Sequence, residues 1–260
     1  FNKLFNEKFI SHKKSSSYST PNRLIIVFEG IQKQVVLRSE ETKGPNINAP
    51  EVALEGFMRS NNISKKDLFK KITDKGEFYF FKTKSKKLNV HDLLEEFVPL
   101  VLQKIQWKKS MKWGEFDLNW GRPLKSILAL FDKKKLTFDF HHLSSSNSTF
   151  IDKEFEEQKK IFNDFKEYSN FFKKMNIIID QKQRKDLIEK KLNEISNKKN
   201  IKIENNSKLL DEVVDLTDQP NVIICEFDRK FLNIPKEILI ITMQYHQKYF
   251  PTFDQKGNIT

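Results

Sequence analysis

Two histidine-containing dipeptides are the first places where this chain could do chemistry. His91-Asp92 offers metal-type donors, but one pair supplies too few ligands. Asp92 also falls in the first turn of a helical pattern, where a carboxylate complements the positive end of the helix. His141-His142 follows a strand-like run, and strand alternation sends the two rings to opposite faces, so they do not share a metal. Cys225 is the lone cysteine and sits in the apolar run 222–225, which reads as a buried small hydrophobe. One cysteine allows no internal disulfide, and no Cys/His cluster has zinc-site spacing. Gly-rich phosphate loops and a Gly-x-Ser-x-Gly elbow are missing from the sequence. No catalytic residue and no metal ligand is therefore assigned to this chain.

The informative pattern is basic and aromatic. Residues 107–114 read Trp-Lys-Lys-Ser-Met-Lys-Trp-Gly, and Trp120 and Arg122 follow. Cations hold phosphates, and flat rings stack on unpaired bases. The same residues also suit packed tryptophans and solvated lysines, and spacing alone leaves both readings open. The order Lys109-Ser110-Met111-Lys112 differs from the Lys-Met-Ser-Lys-Ser loop of some ATP-using enzymes, and a His-Ile-Gly-His partner is missing, so no ATP site is assigned. The run Tyr245-His246-Gln247-Lys248-Tyr249-Phe250-Pro251 ends an apolar helical pattern. His246 and Lys248 there either complement a helix C-terminus or face RNA or a subunit interface. Lys182, Arg184, Lys185, Lys190 and Lys191 share a helical pattern with acids and read as a solvated face.

The elements that must position these groups mix strands and helices without a regular βαβ repeat. Phe1, Leu4, Phe5 and Phe9 have helical spacing over 1–14, and Ser15-Ser16-Ser17 reads as a loop. Residues 23–29 and 34–42 read as a hairpin-like strand pair, and Lys43-Gly44-Pro45 as a turn. Pro50 opens a helix to about 60. Asn62-Ile63-Ser64 caps a short helical stretch, and Lys75-Gly76 is a turn. Residues 77–82, apolar on both faces, predict a central strand. Asn89 with Asp92 resembles a capping box for a helix to about 105. A hairpin is expected around 132–135, helices at 153–175, 180–197, 207–217 and 235–249, and strands at 201–204 and 222–227. The fold class is α+β, with mixed and antiparallel sheets, packed helices, a helical segment in the middle, and no Rossmann or P-loop unit. The expected organisation is an N-terminal α+β domain at 1–143, a linker and helical segment at 144–206, and a helix-strand-helix segment at 207–260.

Composition bounds the partners. The chain has 260 residues, enough for one large or two small domains. Apolar residues make up 38% and include 24 Phe, so a core can form. The 47 Lys and Arg outweigh 35 Asp and Glu, a formal charge of +12 that attracts polyanions. Abundant Lys, Asn, Ile and Phe also mark an AT-rich coding bias, which adds lysine without a partner. An anionic membrane surface is the weaker alternative, and no apolar run nears the roughly 20 residues that span a bilayer. The chain begins at Phe1 rather than Met, so the missing targeting segment says little.

Eight segments, in order, resemble the bacterial glycyl-tRNA synthetase beta-subunit family. They are Thr20-Pro21-Asn22-Arg23-Leu24, Lys43-Gly44-Pro45, 53–61 (ALEGFMRSN), Asp74-Lys75-Gly76-Glu77, 109–114 (KSMKWG), Arg122-Pro123-Leu124, 209–220 (LLDEVVDLTDQP) and 231–251 (FLNIPKEILIITMQYHQKYFP). The last is the strongest, and together they are spread in order across nearly the whole chain. The resemblance implies an N-terminal fragment of a cytoplasmic, tRNA-binding subunit. It also implies an α2β2 assembly whose alpha subunit makes glycyl-adenylate from glycine, ATP and Mg, with no cofactor held by this chain. The expected partners are that alpha subunit and tRNA(Gly), with no membrane. Alternatives are a module that mainly docks the alpha subunit, or an editing-type hydrolase domain. Two departures stand out: the family's opening Gly-Thr-Glu-Glu-Leu-Pro strand is missing, and Ile151-Asp152-Lys153 stands where the family commonly has Gly-His-Arg. Candidate tRNA contacts are the polar groups of the family-like segments: Arg23, Lys43, Arg59, Lys109, Lys112, Arg122, His246 and Lys248.

Overall fold

The computed structural model describes residues 1–37, 39–151, 158–204 and 206–260. The fold is mixed α+β, with small, mostly antiparallel sheets and seven α-helices among the described residues. The chain divides into two compact units that interleave along the sequence. The first holds 1–12, 30–131 and 135–146, and the second holds 13–29, 132–134 and 147–260.

In the first unit, helix α1 (Asn2–Glu7) is shorter than the apolar spacing over 1–14 suggests, because Phe9 takes a left-handed turn (φ 56°). Gln34–Leu37 pairs with Lys86–Asn89, so the expected pairing of 23–29 with 34–42 does not form. Glu41–Asn46 joins a three-stranded sheet beside the central Gly76–Lys82, with Leu68–Thr73 on the other edge. Lys43-Gly44-Pro45 is thus strand and not turn; the register shift between Lys43 and Asn46 accommodates Pro45. Phe80 and Phe81 point to opposite faces of the central strand and both are buried, as two-faced apolarity predicts.

Helix α2 (Glu51–Asn61) lies on the Phe81 side. Gly44 makes that approach possible, since a Cβ there would sit 2.6 Å from the Phe57 ring. Helix α3 (Val90–Gln103) starts as read, with the Asn89 side chain accepting from the His91 N–H and bonding Asp92. Val90, Leu94 and Phe97 recur at helical spacing and are buried. Left-handed Asp132 and Lys133, counted with the second unit, turn the chain as the expected hairpin requires, and the Leu136 N–H donates to the Ala129 carbonyl.

In the second unit, Lys14–Thr20 pairs in full register with Arg23–Glu29 around a two-residue Pro21-Asn22 turn. Ser15-Ser16-Ser17 is therefore strand, because the apolar partner strand needs its backbone groups satisfied whatever the serine propensity. Ser148–Phe150 pairs with Lys159–Ile161. Of the helix expected at 153–175, residues 153–157 lie outside the described residues, and α4 runs only Phe165–Lys174, capped by Asp164. The capped helices α5 (Gln181–Lys199) and α6 (Ser207–Leu216) follow the sequence pattern closely. Lys202–Ile203 forms the short strand expected nearby, paired with Thr252–Phe253.

Residues 222–227 do not form the expected strand: no strand pairs with them among the described residues, and apolarity without a backbone partner makes no sheet. Cys225 is exposed, contrary to the buried reading. The final helical pattern splits into α7 (Lys236–Ile241) and a π-helical turn (Thr242–Gln247), which stops at left-handed Lys248.

Candidate nucleic-acid interface

The basic-aromatic stretch folds as a narrow two-stranded ribbon in the first unit. Met111–Lys112 pairs antiparallel with Asn119–Trp120, placing Met111 opposite Trp120 and Lys112 opposite Asn119. Lys109 and Arg122 each lie two residues beyond the Met111–Trp120 pair, where the two chains leave the same end of the ribbon. The ribbon thus gathers at one end two exposed cations that are separated in sequence. Neither has a hydrogen-bond or ion-pair partner among the described residues. Lys112 differs: it donates to the Asp117 carboxylate at 2.7 Å. That hydrogen bond, with the charge behind it, holds Asp117 below the ordinary carboxylate range, and His141 adds a smaller pull.

The tryptophans belong to the packing. Trp120 is buried with Leu118 and Phe140, and Leu102, Trp107, Trp113, Leu124 and Ile127 pack around them. The Trp113 indole N–H donates to the Trp120 carbonyl at 3.0 Å, and the Trp107 and Trp120 rings meet edge-on at 4.9 Å. Gly121 admits Trp107, since a Cβ there would lie 2.8 Å from its ring. The alternatives left open by spacing therefore divide: packed rings, solvated cations. The exposed rings beside the ribbon are Phe116 and His142, stacked with centroids 3.7 Å apart and planes 5° from parallel. Sequence reasoning missed this pair; the only signal was Phe116 sitting between Trp113 and Trp120.

The other candidates are scattered in role. Lys43 lies 3.5 Å above the Phe78 ring. Arg59 is exposed on α2. Lys43, Arg59, Lys109, Lys112 and Arg122 lie in the first unit, and Arg23, His246 and Lys248 in the second. Arg23 is largely enclosed: its guanidinium stacks 4.2 Å over Phe172, donates to the Phe150 carbonyl at 3.3 Å, and faces Asp218 at 3.9 Å. His246 is exposed, whereas Lys248 pairs with Glu212 at 2.8 Å.

Arg184, expected on a solvated face, is fully buried. It donates to the carbonyls of Val214, Ile178, Ile179 and Ser19 at 2.8–3.0 Å, and Asp215 lies 3.9 Å away. Burial lowers its pKa, opposed by the charges of Asp215, Asp218 and Asp180.

His91, Asp92 and Glu95 bring possible metal donors within 4.8 Å of one another. Each already has a partner: His91 meets the Lys135 carbonyl, Asp92 bonds Asn89, and Glu95 accepts from the Thr137 N–H. The cluster anchors the start of α3. An open cleft of about 620 Å³ in the second unit runs past Tyr18, Phe165, Lys173, Asp180 and Gln219. Asp180 there caps α5, and Gln219 donates to the Met175 carbonyl.

A family model described as glycyl-tRNA synthetase beta subunit matches residues 1–260. Similar proteins include the glycine–tRNA ligase beta subunit of Rickettsia akari (strain Hartford), 34% identical over 258 residues, which are 99% of this chain and 39% of the relative. That of Rickettsia africae (strain ESF-5) is 35% identical over 260 residues, covering 100% of this chain and 39% of the relative. The chain thus spans about two fifths of the length of these curated relatives.

Proposed function

Since the chain belongs to the glycyl-tRNA synthetase beta subunit family, we propose that it serves glycine–tRNA ligase as an RNA-gripping part with no active site of its own. In this reading the alpha subunit of an α2β2 assembly makes glycyl-adenylate from glycine, ATP and Mg in the cytoplasm. This chain holds tRNA(Gly) by its phosphates. The observation that carries the proposal is the ribbon, whose register brings unpaired Lys109 and Arg122 to one end. Residues 107–125 hold five cations against two acids, so the field there favours a polyanion. Lys112, Lys43 and Arg59 are secondary contacts, available after an internal partner yields or from neighbouring elements. Arg23 contributes by fixing the hairpin that carries it, and His246 and Lys248 are contacts of the second unit.

The test is binding of a tRNA(Gly) transcript followed by fluorescence anisotropy. Lys109→Ala with Arg122→Ala is expected to weaken binding roughly tenfold, about 1.4 kcal/mol. Unchanged affinity rejects the ribbon as the contact.

A second reading, docking of the alpha subunit, is favoured by a different observation. Ile223, Ile224, Phe231, Leu232, Ile238 and Ile241 are each exposed, apolar side chains left in water within one stretch of sequence. Capture of a glycyl-tRNA synthetase alpha subunit, lost in Ile238→Glu with Ile241→Glu, would support it. Capture undiminished by those changes would reject it.

A further inference from the structure

Phosphate contacts position an RNA without reading or fixing its bases. Gripping an unpaired nucleotide needs a flat surface open to solvent, and near the ribbon the three tryptophans do not supply one. Trp120 is buried, and Trp107 and Trp113 are pressed against it. Phe116 is 48% exposed and His142 is exposed, and their rings overlap face to face at 3.7 Å.

Local structure holds this pair in place. Left-handed Gly114 (φ 63°) turns the chain, and the Phe116 N–H reaches the Trp113 carbonyl at 3.4 Å. Lys112 and Asp117 clasp across the loop at 2.7 Å. His142 stands beside left-handed His141 (φ 53°) at the tip of the turn between Asp139–Phe140 and Leu143–Ser146. On the strand that leaves that turn, the buried Ser145 hydroxyl bonds the Leu136 and Phe138 carbonyls. Two separate loops thus present one two-ring stack, anchored from beneath by the ribbon core.

We propose that Phe116 and His142 form a stacking platform for an unpaired RNA base, at the loop end of the ribbon whose other end carries Lys109 and Arg122. This rests on the RNA-gripping reading above and adds the site where a base sits. A base has the same planar face as the two rings, and stacking is tolerant of sequence. Charge alone does not favour this spot, since Glu115 and Asp117 are close by in the chain. The platform therefore acts through ring contact and contributes no phosphate neutralisation.

The experiment uses a short single-stranded RNA carrying one 2-aminopurine, whose emission falls when it stacks on a ring. Binding is read in parallel by anisotropy of an end label. The native chain is expected to bind and quench. Phe116→Ala and, separately, His142→Ala should lower affinity about tenfold and remove most of the quench, with the salt slope unchanged. Phe116→Tyr should keep both, which separates ring contact from loss of fold. Binding without quenching, or a quench intact in Phe116→Ala, overturns the platform and leaves the phosphate grip standing. No binding by anisotropy overturns both.

Discussion

At the scale of single residues, buried charge decides more than surface charge. Arg184 fills the space between α5, α6 and the 13–29 hairpin, and its fork satisfies four carbonyls at once. Removing one partner from such a site leaves the others unsatisfied in low dielectric. Arg184→Met is therefore expected to destabilise the second unit by roughly 3–5 kcal/mol, measured by urea unfolding. Arg184→Lys should recover less than half, because an ammonium cannot span the same carbonyls. Wild-type stability in Arg184→Met would refute this assignment. Asp67, Asp228 and Asp254 each accept hydrogen bonds that hold them below the ordinary carboxylate value, backbone and side-chain donors from Ser64, Lys230 and Asn258 being the largest causes. With the folded pKa depressed, the unfolded chain binds more protons, so this stability is present above about pH 4 and lost as pH falls further. Thermal midpoints taken from pH 6 downward should decline below that point. A flat profile would show the bonds contribute nothing.

At the scale of elements, close approach through glycine builds the ribbon. Gly121→Ala would drive a Cβ against Trp107, so the ring must move or the ribbon must open. The expected cost is about 1–3 kcal/mol, with a red-shifted tryptophan emission as Trp107 gains solvent. An unshifted spectrum with unchanged stability would contradict the packing. Helices were the legible part of this fold: Asn89, Asp180 and Asn206 each cap a pattern with its own helical spacing. Strand partners were not legible. Residues 23–29 look like a strand in isolation, but nothing local says that three serines, and not 34–42, will pair with them. The ribbon cations were named from sequence, but only the register shows that Lys109 and Arg122 share an end. Leu187, Ile188 and Leu192 at helical spacing from Arg184 were the signal of its burial, outweighed by the many charged residues along the same helical pattern.

At the scale of the whole molecule, the 13–29 hairpin packs with residues after 147, so neither unit is a continuous stretch of chain. The family-like segments meet in pairs inside these units. Gly44 receives Phe57, and Asn22 and Arg23 of the hairpin tip face Asp218. Much of the resemblance therefore reflects packing. No helix among the described residues is long and apolar enough to cross a membrane. The formal charge of +12 offers two explanations, a phosphate grip at defined places or lysine spread by composition. The slope of log affinity for a tRNA(Gly) transcript against log salt concentration separates them. Each lost phosphate contact flattens that slope by about 0.7–0.9. Lys109→Ala with Arg122→Ala is predicted to flatten it by about 1.5, while Lys190→Ala, removing an exposed lysine that faces Glu194, leaves it unchanged. A wild-type slope in the ribbon variant, or an equal flattening in Lys190→Ala, would contradict a localised grip on RNA.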